Sequence, residues 1–515
     1  MPPAQPTSYD TIPYPSRVRS QTHPDRLATV ATLLGLQPAP VEQCRVLELG
    51  CGDGTNLVAL AASLPGSAFV GLDLAPTAVE KARAFADAVG VSNVAYTQGD
   101  ICDVTVEWGT FDYVIAHGIY SWVPEAVRDA LLSVCRRVLA PHGVAFVSYN
   151  AYPGGHIRNM FREMMLMQVQ QFTDPQERVD QARALLQFVG AGAPPGSPYE
   201  ELARYELARV LDYSMGYLCH DDIADLNRSF YIGEFATHAR QHGLQYLSEA
   251  DFFETQHDQY PEAVAALLAR LADQGQVIER EQMLDFLKGR RFRQTLLCRA
   301  ERVVDRRPRP DLVPRLFLTS ARPGASAEGR DGAVEFASAT CRVTTDDPTA
   351  IAVLHSLRNA WPACVTFDDL VADLRVRLGS EPDREHVQGV LWRAFCVDMA
   401  ELHVHRPPIA SEPGDRPAAS ALARAQVRQG LDVTTLRYTT VNLRDELSRA
   451  VLALADGTRD RQAFAKSVAE AVGTSDDAEV GKFLRATPEE RLALLDGRLR
   501  ALASLALLTG EPGGG

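Results

Sequence analysis

Short apolar runs alternate with segments of helical periodicity over the first third of the chain. The apolar runs predict five strands at 45–49, 68–72, about 93–97, 111–116 and 143–149. Helical periodicity predicts helices at 24–34, 55–64, 76–89 and 124–139. Pro76 near the start of one helix and Gly90 just past its end follow the usual placement of these residues. Strands and helices alternating at this length indicate a parallel sheet covered by helices on both faces.

The alternation stops after the fifth predicted strand. Helical periodicity runs from Ile157 to about Arg209, with a predicted break at the Gly- and Pro-rich segment 190–196. A helix at 233–242 follows, then strand patterns at 244–249 and 292–299 with helical sequence at 262–288 between them. The chain therefore inserts a helical segment before it returns to strands.

Two segments of linker composition divide the remainder. Arg306–Pro310 reads as a solvated linker, and residues 406–420 form a second, Pro- and Ser-rich one. Between them, helices at 349–359, 366–378 and 385–394 precede a strand at 400–405, an order typical of a winged helix. The tail returns to helices at 442–455, 459–472 and 488–507. A winged helix invites a DNA-binding role, but the acidic composition favours docking to protein or internal packing.

Composition narrows the function classes. The chain has 515 residues, a net charge of -14 and 46% hydrophobic residues, which indicates several globular domains and disfavours nucleic-acid and anionic-membrane binding. Nine cysteines occur without C-x-x-C pairs, so we predict neither a metal site nor a disulfide framework. No signal-peptide pattern and no run of about 18 apolar residues is found, and a cytoplasmic location is expected.

One glycine-rich turn carries the strongest chemical signal. Residues 46–54 read VLELGCGDG, and Asp73 closes the next apolar run. The glycines allow a sharp turn close to a ligand, and a carboxylate at the end of the second strand suits a ribose diol. An ordinary turn or a dinucleotide site is the alternative, but the spacing is not Gly-x-Gly-x-x-Gly. Since Glu48 suits a cationic methionine amine, the motif predicts S-adenosylmethionine (SAM).

Further candidates follow the next strands. Asp100 after the third strand can accept a hydrogen bond from an adenine amine. The loops 116–124 (AHGIYSWVP) and 149–156 (YNAYPGGH) follow strands four and five, at the edge where open α/β sheets bind ligands. We therefore expect an acceptor channel that uses these residues: Tyr120, Trp122, Tyr149, Tyr152 and His156. Neither loop carries the motif that grips a flipped base, so base methylation is disfavoured.

The motifs together resemble a known bacterial family. They include the segment 21–27 (QTHPDRL), the two aromatic loops, and the segments 230–247 and 286–298. The chain resembles class I SAM-dependent methyltransferases with a methyltransferase regulatory domain, whose best-known members are rickettsial-type protein-lysine methyltransferases. The N-terminal Tyr9, Asp10, Pro13 and Tyr14 resemble the family's arm, and Ser420–Arg461 resembles its winged-helix-like C-terminal region.

The resemblance implies a fold, a cofactor set and an assembly. It implies a Rossmann-like sheet that ends in an antiparallel pair, here 244–249 and 292–299, and a homodimer with a central cavity. The implied SAM-binding residues are Glu48, Gly50, Gly52, Asp73, Asp100 and Ile101, with Gln21 and His117 closing over the cofactor. Cys51, Asn56 and Leu74, next to these motifs, complete the candidate set.

The resulting prediction is an α/β, Rossmann-like class I methyltransferase with a helical insertion and a mostly helical, winged-helix-like C-terminal region. The predicted domains are an arm and helix (1–40), SAM-binding core (41–155), insertion (156–230), end of the sheet (231–302), winged-helix-like module (311–405) and helical module (420–510). The favoured activity is N-methylation of protein lysine. A small-molecule methyltransferase and a non-catalytic SAM-binding regulator are the alternatives.

Overall fold

The SAM-motif region forms an alternating α/β core. The computed structural model describes residues 11, 12, 14–257, 259–324, 326–328, 332–473, 475 and 477–510, so Tyr9, Asp10 and Pro13 lie outside it. The core strands are β1 (Arg45–Leu49), β2 (Ala68–Asp73), β3 (Val94–Gln98), β4 (Phe111–Ala116) and β5 (Leu139–Asn150). The helices are α1 (Pro24–Leu33), α2 (Thr55–Ser63), α3 (Pro76–Val89) and α4 (Glu125–Val138). These elements confirm the predicted alternation, although β5 begins four residues before its predicted start.

A seven-stranded sheet unites distant parts of the chain. The last two strands are β6 (Leu244–Glu249) and β7 (Phe292–Arg299), and the strand order is β3-β2-β1-β4-β5-β7-β6. Strands β1 to β5 are parallel, and β7 lies antiparallel between β5 and β6. The chain order reverses between β1 and β4, and open α/β sheets bind ligands at the carboxyl ends of strands beside such a point.

Side-chain alternation builds one core on each face of the sheet. In β1, Val46 packs on the face covered by α1, α2 and α3, whereas Leu47 and Leu49 point to the opposite face. In β5, Phe146 lies on the first face, and Tyr149 on the second. Because successive strand residues point to opposite faces, the neighbouring Asn150 can turn toward the other side.

The helical insertion has three long helices. They are α5 (Gly154–Val169), α6 (Pro175–Gly192) and α7 (Pro198–Asp212). A break does separate α6 from α7, but it begins later than the predicted 190–196, because α6 continues through Gly192. A second break before α6 was missed, where the Asp174 side chain caps the helix by accepting from the Glu177 amide at 2.9 Å. A short π-helical turn at Leu218–Asp222 ends the insertion.

Three helices support the end of the sheet. They are α8 (Ile232–Gln241), α9 (Glu262–Asp273) and α10 (Val277–Lys288). Beneath β7, the fully buried Arg293 pairs with Glu249, and with Asp285 and Glu281 of α10 at 2.8 and 3.2 Å. A buried guanidinium needs such partners, so this network locks β7 between β6 and α10.

The segment that follows β7, residues 310–405, holds more strand than predicted. The three predicted helices are α11 (Pro348–Ala360), α12 (Phe367–Leu378) and α13 (Arg384–Cys396). The unpredicted strands are β8 (Phe317–Ser320), β9 (Ser326–Glu328), β10 (Val334–Ala337) and β11 (Arg342–Thr345), and β12 (Ala400–His403) pairs with β8. The guanidinium of Arg306 donates to the carbonyls of Tyr246 and Leu247, both at 2.7 Å, so it anchors on β6 rather than in solvent.

The tail packs against the core. Its helices are α14 (Ala421–Arg428), α15 (Glu446–Leu454), α16 (Arg461–Val472), α17 (Ala478–Arg485) and α18 (Pro488–Ser504), with short strands β13 (Val433–Thr434) and β14 (Thr440–Val441). Helices α14 and α17 were missed by the sequence pattern. The Tyr438 hydroxyl donates to the Asn56 carbonyl at 2.5 Å, which ties the tail to the first helix after the glycine-rich turn. In the described part of the chain, no helix is long and apolar enough to cross a membrane.

Candidate functional site

A large cavity opens at the carboxyl ends of the parallel strands. Its volume is about 1160 Å³, and it extends from the glycine-rich turn to the end of the helical insertion. All eleven candidate cofactor residues line it: Gln21, Glu48, Gly50, Cys51, Gly52, Asn56, Asp73, Leu74, Asp100, Ile101 and His117. The structure thus brings together residues that the sequence spreads over nearly a hundred positions.

The turn after β1 requires glycine. Gly50 has φ +69°, and a Cβ there would lie 2.7 Å from the Cδ1 atom of Ile119. Gly54 has φ +77°, and its Cβ would meet Ala82 and the Tyr96 hydroxyl, both at 2.7 Å. Left-handed backbone and close approach both exclude larger residues. The turn therefore leaves space above β1 for a ligand that contacts the main chain.

Glu48 is a buried carboxylate directed toward this space. Its Oε1 atom accepts from the Asn56 amide at 2.8 Å, while its buried Oε2 atom has no hydrogen-bond partner among the described residues. Burial, together with nearby Asp73, raises the pKa of Glu48 to about 8 despite the Asn56 hydrogen bond. A buried carboxylate oxygen without a partner is costly. It fits a ligand that supplies a cationic donor, such as the amine of SAM.

Two acidic side chains are held at the ends of the next strands. Asp73 accepts from the amides of Gly52 at 2.8 Å and Ala75 at 2.9 Å, which fixes its carboxylate against the turn. Asp100 accepts from the Cys102 amide at 2.9 Å. Leu74, half exposed, lies next to Asp73 in the cavity wall. This arrangement suits a ribose diol beside Asp73 and a flat base beside Leu74 and Ile101.

Gln21 and His117 both line the cavity. The Gln21 amide donates to Asp251 at 3.1 Å, and the Nδ1 atom of His117 lies 3.1 Å from the Ser148 hydroxyl. Burial, assisted by the positive charge of Arg19, lowers the pKa of His117 to about 3, so its ring is neutral. Burial raises the pKa of the Cys51 thiol well above its usual range, so this residue lines the cavity as a neutral thiol.

The five acceptor candidates do not lie together. Trp122 lines the cavity, but Tyr120, Tyr149, Tyr152 and His156 are not among the described residues that do. Tyr120 and Tyr149 are fully buried on the opposite face of the sheet, where Tyr149 stacks on Phe235 at 4.2 Å. The expectation that they wall the cavity is corrected, because strand alternation turns Tyr149 into the second core.

Tyr152 and His156 form a separate aromatic group. Their rings stack at 4.0 Å, and the Nε2 atom of His156 lies 3.2 Å from the Tyr231 hydroxyl. Tyr152 precedes α5, which begins at Gly154, and His156 in the first turn of this helix is exposed. A role in methyl transfer for any of the five candidates stays a prediction, and geometry supports it only for Trp122.

The far end of the cavity holds residues that the sequence analysis did not propose. Tyr14 and Tyr217 meet edge-to-face with ring centroids 5.2 Å apart, and the Tyr14 hydroxyl donates to Asp221 at 3.3 Å. All three line the cavity, together with Arg19. Burial, reinforced by Asp222, raises the pKa of Asp221 to about 6 although Arg158 opposes this. The only available signal was that Tyr14 belongs to the family's arm.

Comparisons with known proteins agree with this arrangement. Three family models match: "Methyltransferase domain" at 46–143, "Predicted methyltransferase regulatory domain" at 214–299 and "PKMT, C-terminal winged helix domain" at 415–482. Protein RP028 of Rickettsia prowazekii is 34% identical over 47% of this chain and 96% of its own length. The chain belongs to the family of SAM-dependent methyltransferases with a regulatory domain. Protein RP789 of the same organism is 29% identical over 89% of this chain and 85% of its own length.

Solved structures extend the likeness to the whole chain of this methyltransferase. PKMT2 from Rickettsia typhi matches with a TM-score of 0.84 and 26% identity, covering 97% of this chain and all of that one. Its complex with AdoHcy matches with a TM-score of 0.83 and 25% identity over the same shares. The methyltransferase fold and SAM as cofactor are thereby confirmed.

The winged-helix match bears on two predictions for this methyltransferase. The family model matches 415–482, which confirms the resemblance of Ser420–Arg461 to the family's winged-helix-like region. The winged-helix-like module that the sequence pattern placed at 311–405 lies outside this match and stays a prediction. The matched segment contains α14, β13, β14, α15 and α16, a mixture of short helices and a two-stranded sheet. The short strands β13 and β14 are two residues each, too brief for a periodic pattern to register. The predicted domain boundaries stay predictions.

Proposed function

We propose that this methyltransferase N-methylates lysine side chains of a protein substrate by direct in-line transfer from SAM. The observation that carries the proposal is the continuity of one cavity. It runs from Glu48, which fits the SAM amine, to the cluster of Tyr14, Tyr217 and Asp221. Donor and acceptor groups can therefore meet within one continuous cavity.

The far cluster has the chemistry of an ammonium site. Aromatic faces attract cations, and a buried carboxylate strengthens that attraction. Asp222, next in sequence, already pairs with Arg158 at 2.9 Å and Arg209 at 3.0 Å. Because these two arginines are held by Asp222, the Asp221 carboxylate keeps a negative charge available to an incoming cation.

The cluster also fits the proton transfer that the reaction needs. A lysine ammonium, with an ordinary pKa near 10.4, must lose a proton before its nitrogen can attack. Burial beside the tyrosine rings favours the neutral amine, and Asp221 can accept the released proton, since its pKa of about 6 leaves it ionised at neutral pH. The amine lone pair then attacks the methyl carbon of SAM, and the bond from that carbon to sulfur breaks with its electron pair remaining on sulfur.

The family supports a protein acceptor. The chain resembles protein-lysine methyltransferases along its whole length, and PKMT2 covers nearly all of it. The homodimer and the cytoplasmic location implied by resemblance and composition stay predictions. A protein partner is more consistent with the net charge of -14 than a nucleic acid is.

Methyl transfer from tritiated SAM into bacterial lysate tests the proposal. We expect label in protein bands after gel separation, recovered as methyl-lysine after acid hydrolysis. Label confined to the solvent-extractable fraction would indicate a small-molecule acceptor, and no transfer with intact SAM binding would indicate a regulatory protein. Either result would overturn the lysine assignment.

A pair of variants tests the acceptor cluster itself. Asp221→Asn should lower turnover by roughly 10²–10⁴-fold, the range for loss of a general base, while SAM affinity stays unchanged. Asp225→Asn is the matched control, because this aspartate is exposed and four residues away. If Asp221→Asn turns over like the wild type on the labelled protein, the acceptor lysine binds elsewhere.

A further inference from the structure

Two histidines at the end of α8 face an aspartate of α4, although no metal site was predicted from the sequence. The Nε2 atom of His242 lies 2.9 Å from an Asp129 carboxylate oxygen, and that of His238 lies 3.5 Å from the same oxygen. All three ligand atoms lie within 4.8 Å of one another. The spacing of four residues places both imidazoles on one side of the helix end.

We propose that Asp129, His238 and His242 bind Zn²⁺ at this surface, outside the cofactor cavity. Two imidazole nitrogens and one carboxylate oxygen are ligands that Zn²⁺ accepts at about 2.0–2.2 Å. Ligand atoms of a tetrahedral ion at that distance are about 3.3 Å apart. The two imidazole nitrogens lie 2.9 and 3.5 Å from the Asp129 oxygen, close to that spacing. Asp129 is 63% exposed, which leaves solvent access for a water at the fourth position.

A buried hydroxyl behind the site supports the assignment. The Tyr120 hydroxyl lies 2.7 Å from the Nδ1 atom of His238, on the side away from Asp129. Metal-binding histidines commonly donate their second ring N–H to such a partner, which fixes the tautomer and the ring orientation. With the Nδ1 hydrogen donated to Tyr120, the Nε2 lone pair faces the Asp129 carboxylate. In this arrangement the buried Tyr120 hydroxyl orients the His238 ring and does not contact the methyl acceptor.

The ion would link two parts of the methyltransferase. Asp129 belongs to the core that matches the methyltransferase model, and both histidines belong to the segment that matches the regulatory-domain model. An ion that binds only the folded protein shifts the folding equilibrium toward that state, by about 100-fold when free Zn²⁺ is at 100 times its dissociation constant. Zn²⁺ should therefore stabilise the docking of α8 on α4.

Titration of tag-free, chelator-treated protein with Co²⁺ and Zn²⁺ tests the site. We expect one ion per chain, visible absorption bands with Co²⁺ that Zn²⁺ abolishes, and a higher melting temperature with Zn²⁺. His242→Asn and Asp129→Asn should each weaken binding by at least ~10-fold, and Tyr120→Phe by roughly 10-fold. Asp129 is exposed, so its variant should fold even if a histidine variant does not.

His386→Asn is the matched control. His386 makes a similar pair with Asp347 at 2.8 Å, but no third ligand is gathered there among the described residues. Its loss should leave metal binding unchanged. Absence of bound ion in the wild type, or wild-type affinity in both Asp129→Asn and His242→Asn, would show that the cluster is only an ion pair between helices.

Discussion

Replacing Glu48 by Gln separates the effect of this carboxylate on the stability of the free protein from its effect on SAM binding. In the protein without SAM, the Oε2 atom is buried without a partner among the described residues, and the pKa of Glu48 is raised to about 8 by burial. We propose that, with SAM bound, the same oxygen accepts from the cationic amine. We therefore expect Glu48→Gln to stabilise the free protein and to weaken SAM binding.

The magnitudes follow from the pKa and from hydrogen-bond energies. A carboxyl whose pKa rises on folding contributes stability that is present below its unfolded value near 4.5 and lost as pH rises through about 8. At pH 7 this penalty is roughly 2–4 kcal/mol, and glutamine removes it. Loss of a charge-assisted hydrogen bond should weaken SAM binding by about 1.5–3 kcal/mol, or roughly 10–150-fold.

Calorimetry at several pH values tests both expected changes, the higher stability of the free variant and its weaker SAM binding. SAM needs the ionised carboxylate, so wild-type affinity should rise about tenfold between pH 6 and pH 7 with release of one proton, and Glu48→Gln should lack this dependence. Glu80→Gln, which alters an exposed carboxylate, should match the wild type. Equal pH dependence in wild type and Glu48→Gln, or a less stable free variant, would refute the reasoning.

Three further predictions concern other contacts. Asp73→Ala should weaken SAM binding by about 1.5–3 kcal/mol in calorimetry, because it removes the ribose acceptor; unchanged affinity in a folded variant would contradict it. Tyr438→Phe should lower the free energy of unfolding by about 1–2 kcal/mol, since the Asn56 carbonyl loses its donor; a wild-type denaturation midpoint would oppose this. His403→Gln should cost about 3–5 kcal/mol by leaving the Asp25 carboxylate without its cationic partner. Burial opposes the charge on His403, but Asp25 outweighs it and raises the pKa to about 10, so wild-type stability should fall as pH rises toward 10 and the variant's should not.

The gathering of the cofactor candidates in one cavity could be predicted because their signals are local. Glu48, the glycines and Asp73 lie within one strand–turn–helix–strand unit, where turn geometry restricts residue choice. Strand β7 is far along the chain, and its place in the sheet came from the family resemblance rather than from its own pattern. The short strands β8 to β11 escaped because runs of three or four residues carry no clear period.

The proposed acceptor cluster could not be predicted because it depends on side-chain orientation and on contacts between distant parts of the chain. Tyr149 lies near the end of β5, where the cavity opens, but the alternation of side chains along this strand directs it into the core. Tyr14 and Asp221 are 207 residues apart and meet only in the fold. Asp129 is likewise 113 residues from His242, although the spacing of the two histidines was visible in the sequence.

We propose that one cavity holds SAM and a lysine ammonium next to each other. The decisive measurement is a crystal structure with S-adenosylhomocysteine and a lysine-containing peptide. We expect the ligand amine on Oε2 of Glu48, and the lysine nitrogen beside Asp221 and the rings of Tyr14 and Tyr217, in line with the sulfur. With a methyl group placed on that sulfur, the lysine nitrogen should lie about 3–3.5 Å from the methyl carbon. A sulfur that faces away from Asp221, or a peptide bound outside the cavity, would contradict it.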